Sequence, residues 1–159
     1  MLENAIRAAR LDVDFYNTVE ADESYTPQAA LLVVVVHALV GVGNAFVYRG
    51  FVWPIIWSII VGVVGWLVWS WITDVVGRNV FDGQTNFGEM QRVLGYAQAP
   101  LALGLIPFLG WIGAIWALVA AVVAIREGQD FTTGKAIGTV VVGWLVWIIA
   151  AGILYAIFN

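Results

Sequence analysis

The stretch Arg92-Val93-Leu94-Gly95-Tyr96-Ala97-Gln98-Ala99-Pro100-Leu101-Ala102-Leu103-Gly104-Leu105-Ile106-Pro107-Phe108-Leu109-Gly110, which runs on uncharged to Arg126, decides the architecture. A membrane helix needs roughly 20 apolar residues, with about 17 to 25 tolerated. The run from Arg92 to Arg126 is too long for one such helix and a little short for two ordinary ones. Pro100 and Pro107 interrupt it, and Pro107 followed by Gly110 reads as a turn. Two short helices, near 90–106 and 110–125, fit with slight thinning of the bilayer.

Working outward, charges mark the remaining spans. None lies between Glu23 and Arg49, between Arg49 and Asp74, or after Lys135. These blocks each fit one helix, near 28–48, 52–76 and 136–158. Cytoplasmic loops carry an excess of Lys and Arg. With a hairpin at Pro107–Gly110, Arg7, Arg10, Arg78, Arg92, Arg126 and Lys135 share one side and Arg49 stands alone on the other. A single crossing would move Arg126 and Lys135 and erase that bias. The expected fold is therefore all-α: a polytopic bundle of about five short transmembrane helices behind an N-terminal amphipathic helix. The N-terminus is cytoplasmic and the C-terminus outside. A re-entrant hairpin within 93–125 leaves the same charge pattern and stays open.

Composition agrees. Of 159 residues, 62% are hydrophobic and 11% charged, too few charges to cover a soluble domain. Cysteine is absent, so disulfides and thiolate metal sites are excluded. The formal net charge of −4 argues against nucleic acid as a partner. The first residues are charged throughout and lack the apolar core of a signal peptide, so the first span is expected to direct insertion.

Bundles in lipid pack through small residues that let backbones approach. Gly110, Ala114, Ala117, Ala121 and Ala124 form such a stripe; Ser58 with Gly62, Gly134 with Gly138, and Gly95 with Ala99 and Ala102 form shorter ones. Of the nine tryptophans, Trp53, Trp57, Trp71 and Trp111 fall near span ends as interfacial anchors, whereas Trp66, Trp69, Trp144 and Trp147 lie deeper. The string Val64-Gly65-Trp66-Leu67-Val68-Trp69 recurs as Val142 to Trp147, a packing motif used twice.

Ionisable residues inside a membrane are functional candidates by default. His37 falls in the middle of the first span, with Gly41, Asn44 and Tyr48 on its face, and Gln98 is the other mid-span amide. A proton-relay or ligand-binding face is one reading. A bundle-facing stripe satisfied by hydrogen bonds between helices is the preferred one, because no carboxylate or second His shares a span interior. Asp74 and Arg78, one turn apart, read as an interfacial ion pair. A lone His37 supplies neither a Ser–His pair nor a ligand cluster, so no catalytic, metal-binding or cofactor-binding residue is assigned and no cofactor is expected.

Residues 1–27 form the cytoplasmic segment and 28–159 the membrane domain. Leu2, Ile6, Ala9, Val13 and Tyr16 recur at helical spacing, so an amphipathic helix is expected on the membrane surface or against the bundle. Asn86 or Thr85 is placed to cap the helix that starts near Glu89.

The segment Arg92 to Pro100, with Leu105-Ile106-Pro107 and Gly110-Trp111-Ile112, resembles the prokaryotic branch of the Yip (Ypt-interacting-protein) family of five-span membrane proteins. Asp12-Val13-Asp14-Phe15-Tyr16, the acidic stretch before Gln28-Ala29-Ala30, Arg126-Glu127-Gly128 and Thr133-Gly134-Lys135 extend the similarity over nearly the whole chain. The resemblance implies five helices and a cytoplasmic N-terminus. It singles out Gly95, Tyr96, Pro100, Pro107 and Gly110 as family-motif positions. Eukaryotic relatives act in vesicle traffic with small GTPases, but the Asp-Leu-Tyr-Gly-Pro type of motif typical of them is absent here, and that role is not carried over. The expected function is that of a non-enzymatic scaffold, assembly factor or accessory subunit in the plasma membrane of a prokaryote. Its partners would be the lipid bilayer and other membrane proteins or copies of itself. The alternative is a small ion or solute carrier or channel.

Overall fold

The computed structural model describes the backbone of all residues except Arg49 and Asn159, and all side chains except those two and Tyr48, Trp147, Ile148, Ala150 and residues 151–158. The chain is all-α, with helices α1 (Leu2–Ala9), α2 (Val13–Ala21), α3 (Thr26–Tyr48), α4 (Val52–Phe81), α5 (Phe87–Ala97), α6 (Gly110–Gly128) and α7 (Thr133–Phe158). Short 3-10 segments at Glu23–Tyr25 and Ala99–Leu105 join α2 to α3 and continue α5. Among the described residues, Glu23–Val47, Val52–Phe81 and Gly110–Gly128 are long and apolar enough to cross a membrane, and Thr133–Val146 is a shorter apolar helix. Most of the C-terminal half of the 136–158 span, including Trp147 of the repeated string, lies outside the described side chains.

The N-terminal segment is two helices, not one. Leu11 adopts a left-handed conformation (φ 62°), and Asp12 starts α2 by accepting from the Phe15 N–H at 3.1 Å. Arg7 Nε donates to the same carboxylate at 2.7 Å, which clamps α1 to α2. The apolar stripe therefore divides. Leu2 and Ile6 are exposed, whereas Ala8, Phe15, Tyr16 and Val19 are fully buried against α5 and α6. The pair docks on the bundle itself.

α3 and α4 are antiparallel and packed closely, since a Cβ at Gly62 would stand 2.0 Å from the His37 ring and one at Gly41 would stand 2.5 Å from the Ile55 backbone. α4 runs past 76 to Phe81, where Asp82 turns left-handed (φ 60°) and the Gly83 N–H bonds to the Gly77 carbonyl at 3.0 Å. Its 30 residues measure about 45 Å against a hydrocarbon core of about 30 Å. Asp74 marks where the apolar run stops, and Val75 to Phe81 contain no proline to end the helix.

The third block departs from a continuous helix over 90–106. α5 opens with a reciprocal cap between Asn86 and Glu89 but closes at Ala97. Pro100 lacks an N–H and its ring would collide with the Tyr96 carbonyl, so the chain continues as 3-10 turns through Leu105. The turn expected at Pro107–Gly110 is present, with Phe108 left-handed (φ 72°) and 89% exposed at its tip.

On α6 the seam follows the stripe read in the sequence only at Ala124. Gly113, Ala120, Ala124, Ile125 and Gly128 are the buried positions, with Gly113 against the Pro100 carbonyl and Gly128 against Met90 and Val93. Ala114 is exposed and lines a cavity with Ala117 and Ala121. A helix of small residues offers two adjacent smooth faces, and the position of α5 selects between them.

Candidate functional site

Side chains that carry chemistry gather at two levels. At mid-bundle, the α3 side chain His37 donates from Nδ1 to the Val33 carbonyl at 3.0 Å, one turn back on its own helix. That leaves Nε2 as the acceptor of the ring. His37 borders a cavity of about 430 Å³ together with Gly62, Trp66, Gln98, Ala114 and Ala121. A second cavity of about 400 Å³ adds Asn44, Gly104 and Pro107 around the same histidine. The fold thus brings together His37, Asn44 and Gln98, which the sequence singled out separately. Asn44 Nδ2 reaches Ser58 Oγ of α4 at 3.5 Å, and Gln98 Oε1 is buried with no partner among the described residues. The volumes fall in the range of small-ligand pockets, and the walls are mainly apolar.

The family-motif positions build the floor of this region. Gly95 is pressed between Ala29 and the Trp66 indole, whose Nε1 donates to the Gln91 carbonyl at 2.9 Å. Tyr96 is fully buried edge-on to Phe15, with centroids 5.1 Å apart, and its hydroxyl donates to Gln28 Oε1 at 3.3 Å. Pro100 is buried, Pro107 sits in the hairpin turn, and Gly110 starts α6.

The end of the bundle where α4 meets α5 and α6 meets α7 holds a second group that the sequence did not reveal. Ser70, Thr73 and Asp74 of α4, Arg92 of α5, Gln129 after α6 and Thr139 of α7 are all buried. Asp74 receives Arg78 Nη2 at 2.7 Å, yet the two differ sharply, with Asp74 at 2% side-chain exposure and Arg78 at 48%. This is a buried carboxylate reached by a surface guanidinium, not a solvated interfacial pair. Gln129 Nε2 donates to the Thr73 carbonyl at 2.9 Å, and its amide occupies the space that a side chain at Gly77 would fill. Ser70 Oγ, Asp74 Oδ1 and Gln129 Oε1 have no hydrogen-bond partner among the described residues. The one sequence signal for this group was its spacing: Ser70, Thr73, Asp74 and Gly77 lie on one face of a helix.

Arg92 joins this level to the N-terminal pair. At 4% exposure it donates from Nε to the Val19 carbonyl at 2.9 Å and from Nη2 to the Glu20 carbonyl, capping the end of α2. Burial and the nearby Asp130, Glu89 and Glu127 carboxylates push Glu20 up to about 7, against the smaller opposing effect of Arg92. Among the described residues, no three His, Asp or Glu side chains are grouped so that they could hold a metal ion.

Neither the curated proteins nor the solved structures compared with this chain gave a match. The family comparison did: the model of the Yip1 domain matches residues 13–157, from the start of α2 to the last turn of α7. The buried face of α2, the α5–Pro100 break and the α6–α7 pair all lie within the match, and the chain belongs to the Yip family as a Yip1-domain membrane protein.

Proposed function

We propose that this Yip1-domain protein is a non-enzymatic scaffold, assembly factor or accessory subunit of a membrane complex, working through helix–helix contacts. The observation that carries the reading is that five polar side chains are directed from one element to another. Trp66 donates to Gln91 O, Arg92 to Val19 O, Trp116 to Ala9 O, Gln129 to Thr73 O and Lys135 to Phe81 O, each from one element to the main chain of another. Such groups tie helices together and are not displayed to a substrate. Outside, α4 presents Trp53, Trp57, Ile60, Val64 and Trp71, and α6 presents Trp111 and Ile115, as faces for lipid or for neighbouring helices. The same reading places the protein in the plasma membrane of a prokaryote, crossing five times with the N-terminus in the cytoplasm and the C-terminus outside. Its partners are the bilayer and other membrane proteins or further copies of itself. Extraction from native membranes into nanodiscs, followed by mass measurement and identification of co-migrating chains, tests it. A stoichiometric partner or a defined homo-oligomer supports the scaffold, and a monomer with no companion at any extraction strength refutes it.

The adjoining cavities around His37, with Gln98 Oε1 unpartnered among the described residues, favour a carrier or channel as the second reading. Flux through reconstituted vesicles that disappears in the His37→Leu and Gln98→Leu variants would establish it.

A further inference from the structure

We infer that α1 is seated in the bilayer beside the bundle, and that its outward apolar face takes the acyl chains of the leaflet on the N-terminal side. The inference rests on α6 crossing the bilayer and on neither function proposed above. Two bonds fix the level of the helix. Asn4 Nδ2 donates to Gln28 Oε1 at 3.3 Å, in the first turn of α3, so α1 starts beside the rim of that span. At its other end the Ala9 carbonyl accepts from Trp116 Nε1 at 2.8 Å. Trp116 stands about 9 Å along the axis from Gly110 and about 15 Å from Arg126, where the charges of α6 begin. The last turn of α1 therefore lies against the uncharged middle of a helix long and apolar enough to cross a membrane.

The side chains of α1 divide to suit that place. Ala5 and Ala8 turn to the bundle, and Ala8 is fully buried. Leu2, Ile6 and Ala9 share a second face, on which Leu2 is 74% exposed and Ile6 43%. Glu3, Arg7 and Arg10 share a third, roughly 100° further round the helix. An interfacial helix has this division, with its apolar face toward the acyl chains and its charged face toward headgroups and water. Arg7 is paired with Asp12, whereas Arg10 is exposed, and its long stem lets the guanidinium reach the level of the phosphates. A groove of about 300 Å³ continues the apolar face past Ala9. Ala99, Pro100, Ala102, Leu103 and Trp116 line it, and its one polar side-chain atom, the Trp116 indole nitrogen, is already bonded to the Ala9 carbonyl. Among the described residues the groove thus offers a ligand no polar side-chain group, which leaves hydrocarbon as its occupant. Ile112 and Val119, exposed one turn to either side of Trp116, carry the same surface along α6.

The chain has no cysteine, so a single nitroxide label reports one position at a time. In nanodiscs, collision with oxygen, which concentrates in hydrocarbon, is compared with collision with a nickel chelate, which stays in water. Val119→Cys on α6 gives the lipid reference and Gln84→Cys in the α4–α5 loop the water reference, both at exposed positions. Leu2→Cys and Ile6→Cys should match Val119→Cys, with an oxygen-to-nickel ratio several-fold above that of Gln84→Cys. Glu3→Cys, on the charged face, should fall well below them. Leu2 and Ile6 are exposed, so labels there leave the packing intact. Labels at both positions that collide with nickel as Gln84→Cys does would place the face in water and overturn the inference. Shielding from both reagents would show a protein surface, such as a second copy, over the face and overturn it equally. A Val119→Cys label in water would refute the crossing of α6 and this placement with it.

Discussion

Arg92 shows how much one side chain carries at the residue scale. Its guanidinium is buried and satisfied by carbonyls of another helix, so shortening it strands both the carbonyls and the space it filled. Arg92→Ala should cost about 2–3 kcal/mol, read as a lower thermal midpoint in detergent. Two glycines of α4 make a sharper contrast. A Cβ at Gly62 meets the His37 ring at 2.0 Å, whereas one at Gly65 meets no described atom within 4 Å. Gly62→Ala should destabilise by about 1–3 kcal/mol through overpacking. Gly65→Ala should be neutral or stabilising by up to about 1 kcal/mol through helix propensity. Equal effects in the same denaturation assay would contradict the packing described for α3 on α4. In sequence the two glycines are three residues apart in a uniform apolar run, and nothing there distinguishes them.

At the scale of elements, local chemistry set the ends and neighbours set the faces. Of the two caps the sequence offered, Asn86 and Thr85, Asn86 is the one used, because an Asn three residues before a Glu can satisfy two free N–H groups reciprocally, and both bonds are present. Asn86→Ala should cost about 1 kcal/mol while Asn86→Ser retains most of the stability, measured by thermal unfolding. Pro100 was equally visible, but its consequence was underestimated. A proline can kink a helix or end it, and here α5 stops and 3-10 turns carry the chain on. The buried side of α6 was legible only at Ala124, since Ala114 and Gly113 differ by one position on a helix whose small residues surround it.

For the whole molecule, the charge count that implied a hairpin also states where its tip lies. Phe108, fully displayed in the turn, should react as Phe108→Cys with a membrane-impermeant maleimide added outside, while Thr85→Cys in the α4–α5 loop should react only after permeabilisation. Protection of Phe108→Cys from both sides would instead identify α5 to α6 as re-entrant. The N-terminal pair is also a property of the whole, because its buried face is covered by α5 and α6, which lie about seventy residues and more along the chain.

Apolar runs bounded by charges, prolines and caps fixed from the sequence alone that the chain is an all-α membrane protein and roughly where its helices begin and turn. These signals are local, and the bilayer demands that each backbone group be satisfied within its own helix. Only the tertiary structure decided that Asp74 is buried while Arg78 is not, that Arg92 caps α2, and that His37 stands between a cavity lined by Gln98 and one lined by Asn44. Each of these depends on which face of one apolar helix meets which face of another. In helices that are hydrophobic all round, periodicity carries no record of that choice.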